Sequence, residues 1–450
     1  METPICDFVR AYAQKGGQRL HMPGHKGIGP LGVEELDITE VGGADELYHS
    51  RGIIKRSQEN AARLFGTACT LYSAEGSSLA IRAMVYLTAL HARSQGKTPR
   101  IAAGRNAHKV FMTAAALLDV EVDWLFPEQW EGLVSCAITE EQLEEYLAGA
   151  QELPTAVYIT SPDYLGHVAD IRALAQVCRK FGVLLLVDNA HGAYLRFLPE
   201  DLHPMTLGAD LCCDSAHKTL PVLTGGAYLH IAHSAPELLA RWAQEAMALF
   251  ASTSPSYLIL QSLDAANAYL AEGYQERLAE FTQAVRQVKE RLIRAGYTSV
   301  GEEPLKLTLA SKGWGYTGVE LAGLLTERGI ECEFSDPDYV VFMLTPENGL
   351  QCLKELERVL LDLPRREPIT VQPPAMSRPE QWCPPRQAMM GAGQEREVQA
   401  CRGMVLAGAM VSCPPAVPVV VCGEVIDDGA IKLMEYYGVH SCRVIEKENL

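Results

Sequence analysis

The segment LLLVDNAHGAY, residues 184–194, indicates the fold class of this chain. An apolar run that ends at Asp188 is the pattern of a strand buried on both faces of a sheet. Apolar runs of similar length recur at RIAA (100–103), VEVDWL (120–125), TAVYIT (155–160), DLCCDS (210–215) and GAYLHI (226–231). Helical patterns lie between them, at 77–92, 139–150 and 171–181. This alternation predicts an α/β fold with a mostly parallel, doubly wound sheet.

The chain beyond residue 272 predicts smaller structural regions. An amphipathic helix is expected at 273–295, with an apolar stripe formed by Leu278, Phe281, Val285, Val288 and Leu292. A strand (305–310), a helix (318–329), a strand (339–344) and a later apolar strand (417–422) are expected after it. We predict an N-terminal segment (1–60), a large domain (61–272), a connecting helix with a small α/β domain (273–365), a linker (366–385) and a C-terminal domain (386–450).

Composition and charge restrict the class of partner. The chain has 450 residues, with 39 basic and 56 acidic side chains and a net charge of −17. Because such a surface repels phosphate backbones and anionic lipid, we expect neither nucleic acid nor a membrane as a partner. The 13 cysteines show no C-x-x-C spacing, and no signal peptide or long apolar run is visible. We therefore expect a cytoplasmic protein without a metal centre.

The segment DSAHKTLPVLTGG, residues 214–226, contains a candidate nucleophile. Lys218 follows a buried strand and stands beside hydroxyl and imidazole side chains. A lysine that carries a cofactor as a Schiff base must lie in a pocket whose surroundings keep the amine deprotonated. Ser215 and His217 are placed to hold a phosphate beside it. The alternative interpretation is a solvated lysine that follows a strand.

Asp188 closes the neighbouring apolar strand. A carboxylate in that position is costly unless it is paired or functional, and it suits the protonated nitrogen of a pyridine ring. A helix N-cap or a metal ligand is the alternative. Asp188 and Lys218 lie 30 positions apart, with a helix-sized segment between them. Both are therefore expected at the carboxyl ends of strands, facing one crevice, with His191 on the same rim.

Two further segments contain candidate cofactor contacts. Gly76, Ser77 and Ser78 begin a helix, where backbone N–H groups, hydroxyls and the helix dipole favour a phosphate. Most such helix starts are simple caps, which is the alternative. His108, within GRNAHKV (104–110), follows a short strand and is placed to stack on an aromatic cofactor ring. A structural histidine with satisfied hydrogen bonds is the alternative there.

Eight motifs in this order resemble the fold-type-I ornithine/lysine/arginine decarboxylases in their short Gram-positive-type form. They are HMPGHKG (21–27), the Gly-Ser-Ser helix start, RNAHK (105–109), TSPDYLGHVADI (160–171), VDNAHGA (187–193), SAHKTLPVLTGG (215–226), STSPSYLILQSLD (252–264) and PPAVPVVVCGEVI (414–426). The resemblance covers most of the chain. It implies a PLP-dependent transferase-like large domain of the aspartate aminotransferase fold type I. It also implies a small C-terminal α/β domain and a C-terminal decarboxylase domain.

The resemblance also implies roles for individual residues. Lys218 would carry pyridoxal 5'-phosphate (PLP), Asp188 would pair with its ring nitrogen, and His108 would stack on its ring. Further cofactor-side positions are Gly76, Ser77, Ser78, Ala190, Ser215 and His217. Ser254 lies in a segment that in this family reaches the neighbouring subunit's phosphate, which implies a homodimer with a shared active site. Glu424 lies near the substrate entrance of the family and is a candidate for binding the substrate's distal cation.

The implied reaction is the loss of CO₂ from Cα of a basic L-amino acid, which is arginine, lysine or ornithine. The product is a polyamine precursor, and Lys218 or His191 would return a proton to Cα. The family often has an acidic residue where Asn189 stands and a glycine where Ala416 stands, and these departures bear on the choice of substrate. An aminotransferase or lyase on the same scaffold is one alternative. A catalytically silent regulatory homologue is another.

Overall fold

The computed structural model describes residues 1–130, 132–376, 378–408 and 417–450. Its helices are α1 (Pro4–Gln14), α2 (Ile53–Phe65), α3 (Ser77–Ser94), α4 (Lys109–Leu118), α5 (Glu140–Gly149), α6 (Ile171–Phe181), α7 (Pro204–Leu207), α8 (Ala216–Thr219), α9 (Glu237–Ala248), α10 (Tyr257–Ala271), α11 (Tyr274–Ala295), α12 (Gly318–Thr326), α13 (Gly349–Asp362), α14 (Pro385–Met390) and α15 (Asp428–Tyr436). Its strands are β1 (Cys69–Ser73), β2 (Arg100–Gly104), β3 (Glu121–Leu125), β4 (Ala156–Thr160), β5 (Leu184–Asp188), β6 (Leu211–Asp214), β7 (Ala227–Ile231), β8 (Ser299–Val300), β9 (Lys306–Ala310), β10 (Phe334–Ser335), β11 (Tyr339–Met343), β12 (Gln394–Glu397), β13 (Val405–Leu406) and β14 (Ser441–Ile445). Pro414, Pro415 and Ala416, which belong to the last motif of the sequence, lie outside the described residues.

The chain divides into two compact units. The first comprises Met1–Gln95 and Ile171–Arg277, and the second comprises Gly96–Asp170 and Leu278–Leu450. In the first unit the strand order is β1-β7-β6-β5, with β5 parallel to β6 and with β7 antiparallel to both of its neighbours. Helix α3 packs on β6 and β7, and α9 packs on α3. The carboxyl ends of β5 and β6 therefore emerge side by side, which places the residues that follow them together.

The second unit contains parallel and antiparallel strands. Strand β2 lies between β4 and β3 and is parallel to both. The later strands form two antiparallel sheets, in the orders β10-β11-β9-β8 and β12-β14-β13. The predicted α/β class, with mostly parallel strands in the large domain and a small α/β region after it, is confirmed. The domain boundaries given above stay a prediction.

Consecutive apolar residues form the central strands because these strands are covered on both faces. Every residue of β5, β6 and β7 is buried. The six strands predicted between residues 100 and 231 are present, each within two residues of its expected bounds. The apolar stripe of α11 is also buried, as the 3.6-residue period predicted. Within the described part of the chain, no helix combines the length and apolar character that crossing a bilayer requires.

The predicted strand at 417–422 is wrong. This segment is buried but irregular, and it follows no ladder of backbone hydrogen bonds. Side chains satisfy its backbone instead: the Val419 carbonyl accepts from Arg105, and the Val421 N–H donates to Glu424. Pro418 interrupts the run and has no N–H to donate to a neighbouring strand. The apolar run therefore predicted the burial of this segment correctly, but it did not predict whether the segment pairs as a β-strand.

Candidate active site

Lys218 lies directly after β6, in the short helix α8. Its Nζ atom is 2.8 Å from Nε2 of His191, which follows β5. A hydrogen bond between an amine and an imidazole needs one donor nitrogen and one nitrogen with a lone pair. The two side chains can therefore hold and pass a proton between them. The predicted neighbourhood of Lys218 and His191 at the carboxyl ends of adjacent strands is present.

Asp188 is the last residue of β5, and it is buried. Its Oδ1 atom accepts the N–H of Ala190 at 3.2 Å and faces the Cys213 thiol at 3.4 Å. Burial raises the pKa of that thiol, and the charge of Asp188 raises it further, so Cys213 stays a proton donor to the carboxylate. A buried carboxylate held in this way suits a cationic partner such as a protonated ring nitrogen.

Two hydroxyl groups converge where α3 begins. Ser215 donates from Oγ to Oγ of Ser77 at 2.8 Å. Gly76, at a φ of 72°, precedes the helix and has no side chain to cap the N–H groups of its first turn, where Ser78 is the second residue. The N–H of Gly76 donates to the Gly225 carbonyl at 2.7 Å. The N–H groups of a helix's first turn, beside two hydroxyls, form a cradle for a phosphate.

Residues of the first unit fit PLP on these observations. The hydroxyls of Ser77 and Ser215 suit its phosphate, Lys218 suits its aldehyde, and Asp188 suits its ring nitrogen. The imidazole of His217 is oriented by a 3.0 Å hydrogen bond between Nδ1 and the Gly226 carbonyl. Its contact with a phosphate stays a prediction, as does a contact of Ala190 with the cofactor.

Ser254 lies in an exposed stretch of the first unit. Its N–H donates to Oγ of Ser252 at 3.1 Å. The N–H of Ser252 in turn donates to Glu75 at 2.7 Å, immediately before the glycine that begins the phosphate cradle. The stretch is therefore attached to the loop that leads into α3. Its contact with a neighbouring subunit stays a prediction.

His108 and Glu424 lie in the second unit. His108 caps the N-terminus of α4, because its Nδ1 accepts the N–H of Val110 at 3.2 Å. The structural alternative for this histidine is thus present, and stacking on the cofactor stays a prediction.

Glu424 contacts a cation of this chain. Its Oε2 atom accepts from Nη2 of Arg105 at 2.8 Å and from the Val421 N–H at 2.8 Å. Both side chains of this ion pair are buried, and the guanidinium lies 5.2 Å above the ring of Trp124. Burial raises the pKa of the Glu424 carboxyl, although Arg105 opposes this shift. A substrate cation would have to displace Arg105, and the assignment of Glu424 to the substrate stays a prediction.

Sequence reasoning missed Asp214, which directly precedes Ser215. Its carboxylate is fully buried and accepts hydrogen bonds from Asn189, His203 and His230. Burial alone would raise the pKa of Asp214, but the two histidines outweigh burial and hold it below its usual range. The signal was available: an aspartate that ends an apolar strand is costly unless it is paired, which is the reasoning applied to Asp188.

The comparison with known families decides the class of protein. The family model described as Orn/Lys/Arg decarboxylase, major domain, matches residues 3–297. The chain belongs to the Orn/Lys/Arg decarboxylase family. As a member of this family it is a PLP-dependent enzyme that decarboxylates a basic amino acid. The predicted reaction class and cofactor are therefore confirmed.

Individual relatives extend the similarity along nearly the whole chain. The uncharacterised protein YaaO of Bacillus subtilis is 28% identical over 96% of this chain and 93% of its own length. The arginine decarboxylase of Halalkalibacterium halodurans is 29% identical, over 95% of this chain and 91% of its own length. Among solved structures, the lysine decarboxylase of Francisella novicida has a TM-score of 0.79 at 17% identity, covering 99% of this chain and 81% of that one. This last likeness confirms the fold of PLP-dependent decarboxylases.

Proposed function

We propose that this chain decarboxylates L-arginine, with Lys218 as the residue that binds the cofactor covalently. The observation that carries the proposal is the 2.8 Å contact between Lys218 and His191, next to the paired hydroxyls of Ser77 and Ser215. Arginine is favoured over lysine and ornithine because several relatives that match more than 90% of the chain are named arginine decarboxylase.

Different residues of the first unit would have different roles in such a reaction. Pyridoxal phosphate, when bound, supplies an electron sink for the bonds at Cα. Asp188 would hold the ring nitrogen in its protonated form, and the cradle of Gly76, Ser77 and Ser215 would hold the phosphate. Lys218 and His191 would share a proton between Nζ and Nε2, so either side chain could deliver it to Cα after CO₂ leaves. His108 is assigned to the ring face by the family resemblance.

Recognition of the substrate's guanidinium is proposed for Glu424. This carboxylate lines an open cavity of about 750 Å³ in the second unit, together with Trp124, Phe126 and Arg378. Its present partner, Arg105, carries the same guanidinium group as arginine. A bound substrate guanidinium could take over the hydrogen bond to Glu424, and Arg105 would then have to move to another partner or to solvent, because its charge stays in the chain.

A homodimer is also proposed. The side chains of Leu20, Ile28 and Leu31 are 88%, 84% and 79% exposed, which is unusual for three apolar residues within one short segment. A second copy of the chain is the partner that the family resemblance implies. Sedimentation of Ile28→Asp/Leu31→Asp should give a monomer where the unmodified protein gives a dimer. Leu361→Asp, at an exposed leucine elsewhere, should leave the dimer intact, and a monomeric unmodified protein would refute the proposal.

The substrate is tested by measuring CO₂ release from arginine, lysine and ornithine. We expect release from arginine, none from it in Lys218→Ala, and normal release in Lys180→Ala, where an exposed lysine is removed. Release from lysine or ornithine alone would transfer the proposal to that substrate. Formation of a keto acid without CO₂ would indicate an aminotransferase, and no reaction with any of the three would favour a silent homologue.

A further inference from the structure

The carboxylate of Asp214 joins several segments of the first unit. Its Oδ1 atom accepts from Nδ2 of Asn189 at 2.7 Å and from Sγ of Cys212 at 3.6 Å. Its Oδ2 atom accepts from Nε2 of His203 at 3.0 Å and from Nε2 of His230 at 3.1 Å. Asp214, His203 and His230 are all 0% exposed. One carboxylate thus binds donors that follow β5, precede α7 and lie within β7.

The tautomer of His203 distinguishes this cluster from a metal centre. The three ligand atoms lie within 4.8 Å of one another, as metal ligands do. However, Nδ1 of His203 accepts the N–H of Met205 at 3.3 Å, so Nδ1 carries a lone pair. The proton of the neutral ring is then on Nε2, which donates to Asp214 and has no lone pair for a metal. The cluster is a hydrogen-bond network around one anion.

The second histidine is fixed from its other side. Nδ1 of His230 lies 2.8 Å from the Thr70 hydroxyl, which lies 2.7 Å from the hydroxyl of Thr67. The ring of Phe65 packs against His230, with 4.5 Å between the ring centroids. The donors to Asp214 therefore have little freedom to move, and the position of the carboxylate follows from theirs.

Neighbours in sequence connect this network to the cofactor residues. Asn189 directly follows Asp188, and its backbone N–H donates to the Cys213 carbonyl at 3.0 Å. Asp214 directly precedes Ser215, and Lys218 lies three residues further along. The bond between Asn189 and Asp214 therefore ties the end of β5 to the end of β6, at the residues next to those that hold the ring nitrogen, the phosphate and the aldehyde.

We propose that Asp214 is a positioning residue, which sets the separation between Asp188 on β5 and the Ser215–Lys218 segment after β6. Asp214 does not touch the cofactor in this account and acts through Asn189 and Ser215. The proposal rests on the proposed roles of Lys218 and Asp188. The backbone ladder already fixes the spacing of β5 and β6. The proposal adds that the carboxylate of Asp214 fixes how the chain leaves the two strands at their carboxyl ends.

The amide of Asn189 and the carboxylate of Asp214 can be exchanged by a double substitution, which provides a rescue experiment. In Asp214→Asn the amide presents an NH₂ group either to the two imidazole N–H groups or to the amide of Asn189, so donors face donors. In Asn189→Asp alone, two carboxylates face each other. In the double variant Asn189→Asp/Asp214→Asn, the new amide oxygen accepts from both histidines and its NH₂ donates to the new carboxylate. The bonds to Asn189, His203 and His230 and the net charge are then restored, and only the weaker contact of the Cys212 thiol with Oδ1 is lost.

The rate of cofactor dissociation tests this proposal, because the residues that would hold the cofactor follow the two strand ends. After dilution, we would follow the loss of the visible absorbance of the bound cofactor in the holoenzyme. We expect dissociation to be about tenfold faster or more in Asp214→Asn, as for the loss of a hydrogen bond to a charged group. We expect near-normal dissociation in the double variant. The kcat should fall in Asp214→Asn while KM changes little, because Asp214 does not contact the substrate.

Asp210→Asn is the matched control, since Asp210 bonds the Leu185 N–H at 2.8 Å at the opposite end of the same strand pair. It should leave dissociation unchanged. Equal dissociation in Asp214→Asn and Asp210→Asn, or no recovery in the double variant, would overturn the inference. If Asp214→Asn does not fold, Asn189→Ala carries the same test, because it removes only the bond to Oδ1. Borohydride reduction that attaches the cofactor to a lysine other than Lys218 would instead refute the proposed role of Lys218.

Discussion

The two ends of strand β6 each carry an aspartate, and the surroundings of the two carboxyls are opposite in character. Asp210, before the strand, accepts one backbone N–H, from Leu185. Asp214, at the end of the strand, accepts from Asn189, two histidines and the Cys212 thiol, and it is fully enclosed. Burial raises the pKa of Asp210, against opposing effects of Leu185 and Arg179. The histidines instead lower the pKa of Asp214 despite stronger burial.

This difference shows that the buried charge lies at the carboxyl end of the strand. In open α/β sheets ligands bind beyond the carboxyl ends of the strands, and that is the end occupied by Asp214. A buried carboxylate is costly unless every lone pair has a donor, and Asp214 has donors on both oxygens. At the amino end, the partly buried Asp210 carboxyl accepts the Leu185 N–H beside the backbone ladder that pairs the strands.

Complete removal of the Asp214 carboxylate should have the largest effect on stability. Asp214→Ala leaves donors on Asn189, His203 and His230 without an acceptor in a sealed site. We expect the free energy of unfolding to fall by about 3–5 kcal/mol, measured by urea denaturation of the cofactor-free protein. A loss below about 1 kcal/mol would show that water or a shifted side chain replaces the carboxylate readily.

Asp214→Asn should have a smaller effect on the same measurement. The variant keeps the shape of the side chain and one oxygen. Its NH₂ group therefore faces either the two histidine N–H groups or the Asn189 amide, and the remaining oxygen still accepts from the other side. We expect a loss of about 1–3 kcal/mol in the free energy of unfolding. Hydrogen exchange of the segment 186–190 should increase, because the bond from Asn189 is the one that links β5 to this carboxyl. Protection at 186–190 equal to that of the unmodified protein would contradict the comparison.

Asp210→Asn should change stability least. Its amide oxygen can still accept the Leu185 N–H, and burial no longer opposes a charge. We expect a change within about 0.5 kcal/mol, or a small gain, in the free energy of unfolding. A loss as large as that of Asp214→Asn would mean that the two ends of the strand are equivalent after all.

The pH dependence should differ in sign between the two sites. The pKa of Asp214 is lower in the folded state than in the unfolded state. Its carboxylate therefore adds to the free energy of unfolding above the unfolded pKa of about 3.9, and this stabilisation is lost as pH falls through the folded pKa. A raised folded-state pKa gives Asp210 a contribution that falls as pH rises above that same value. Between about pH 4 and pH 6, the stability difference between the unmodified protein and Asp214→Asn should therefore stay nearly constant. Over the same range, the stability of the unmodified protein minus that of Asp210→Asn should decrease as pH rises. If the two stability differences depended on pH in the same way, this assignment would be contradicted.

Much of the fold could be predicted because apolar runs and strand burial coincide in α/β proteins. The run 184–188 became β5, and the segment 210–215 became β6. The same rule failed at 417–422, where Arg105 and Glu424 satisfy the backbone of a buried but irregular segment. It also gave no sign of β12, whose sequence QERE is polar, because this strand lies at the edge of a small sheet.

The candidate site was predicted in part, for a physical reason. Ser215 and Lys218 lie three positions apart in a recognisable segment, so their proximity needs no tertiary information. Apart from the adjacent Cys212, the donors to Asp214 come from positions 189, 203 and 230. Nothing in the spacing of these three positions reveals that the fold brings them together. Pairing across a sheet depends on strand order, which the hydrophobic pattern alone does not specify.

The most direct test of the account is to locate the covalently bound cofactor. The purified holoenzyme would be reduced with borohydride, digested and analysed by peptide mass spectrometry, with Lys180→Ala as the matched control. We predict that the added pyridoxyl mass lies on Lys218 in both proteins, and that Lys218→Ala carries none. A pyridoxyl group on a different lysine, or none on the unmodified protein after incubation with pyridoxal phosphate, would contradict the proposed site.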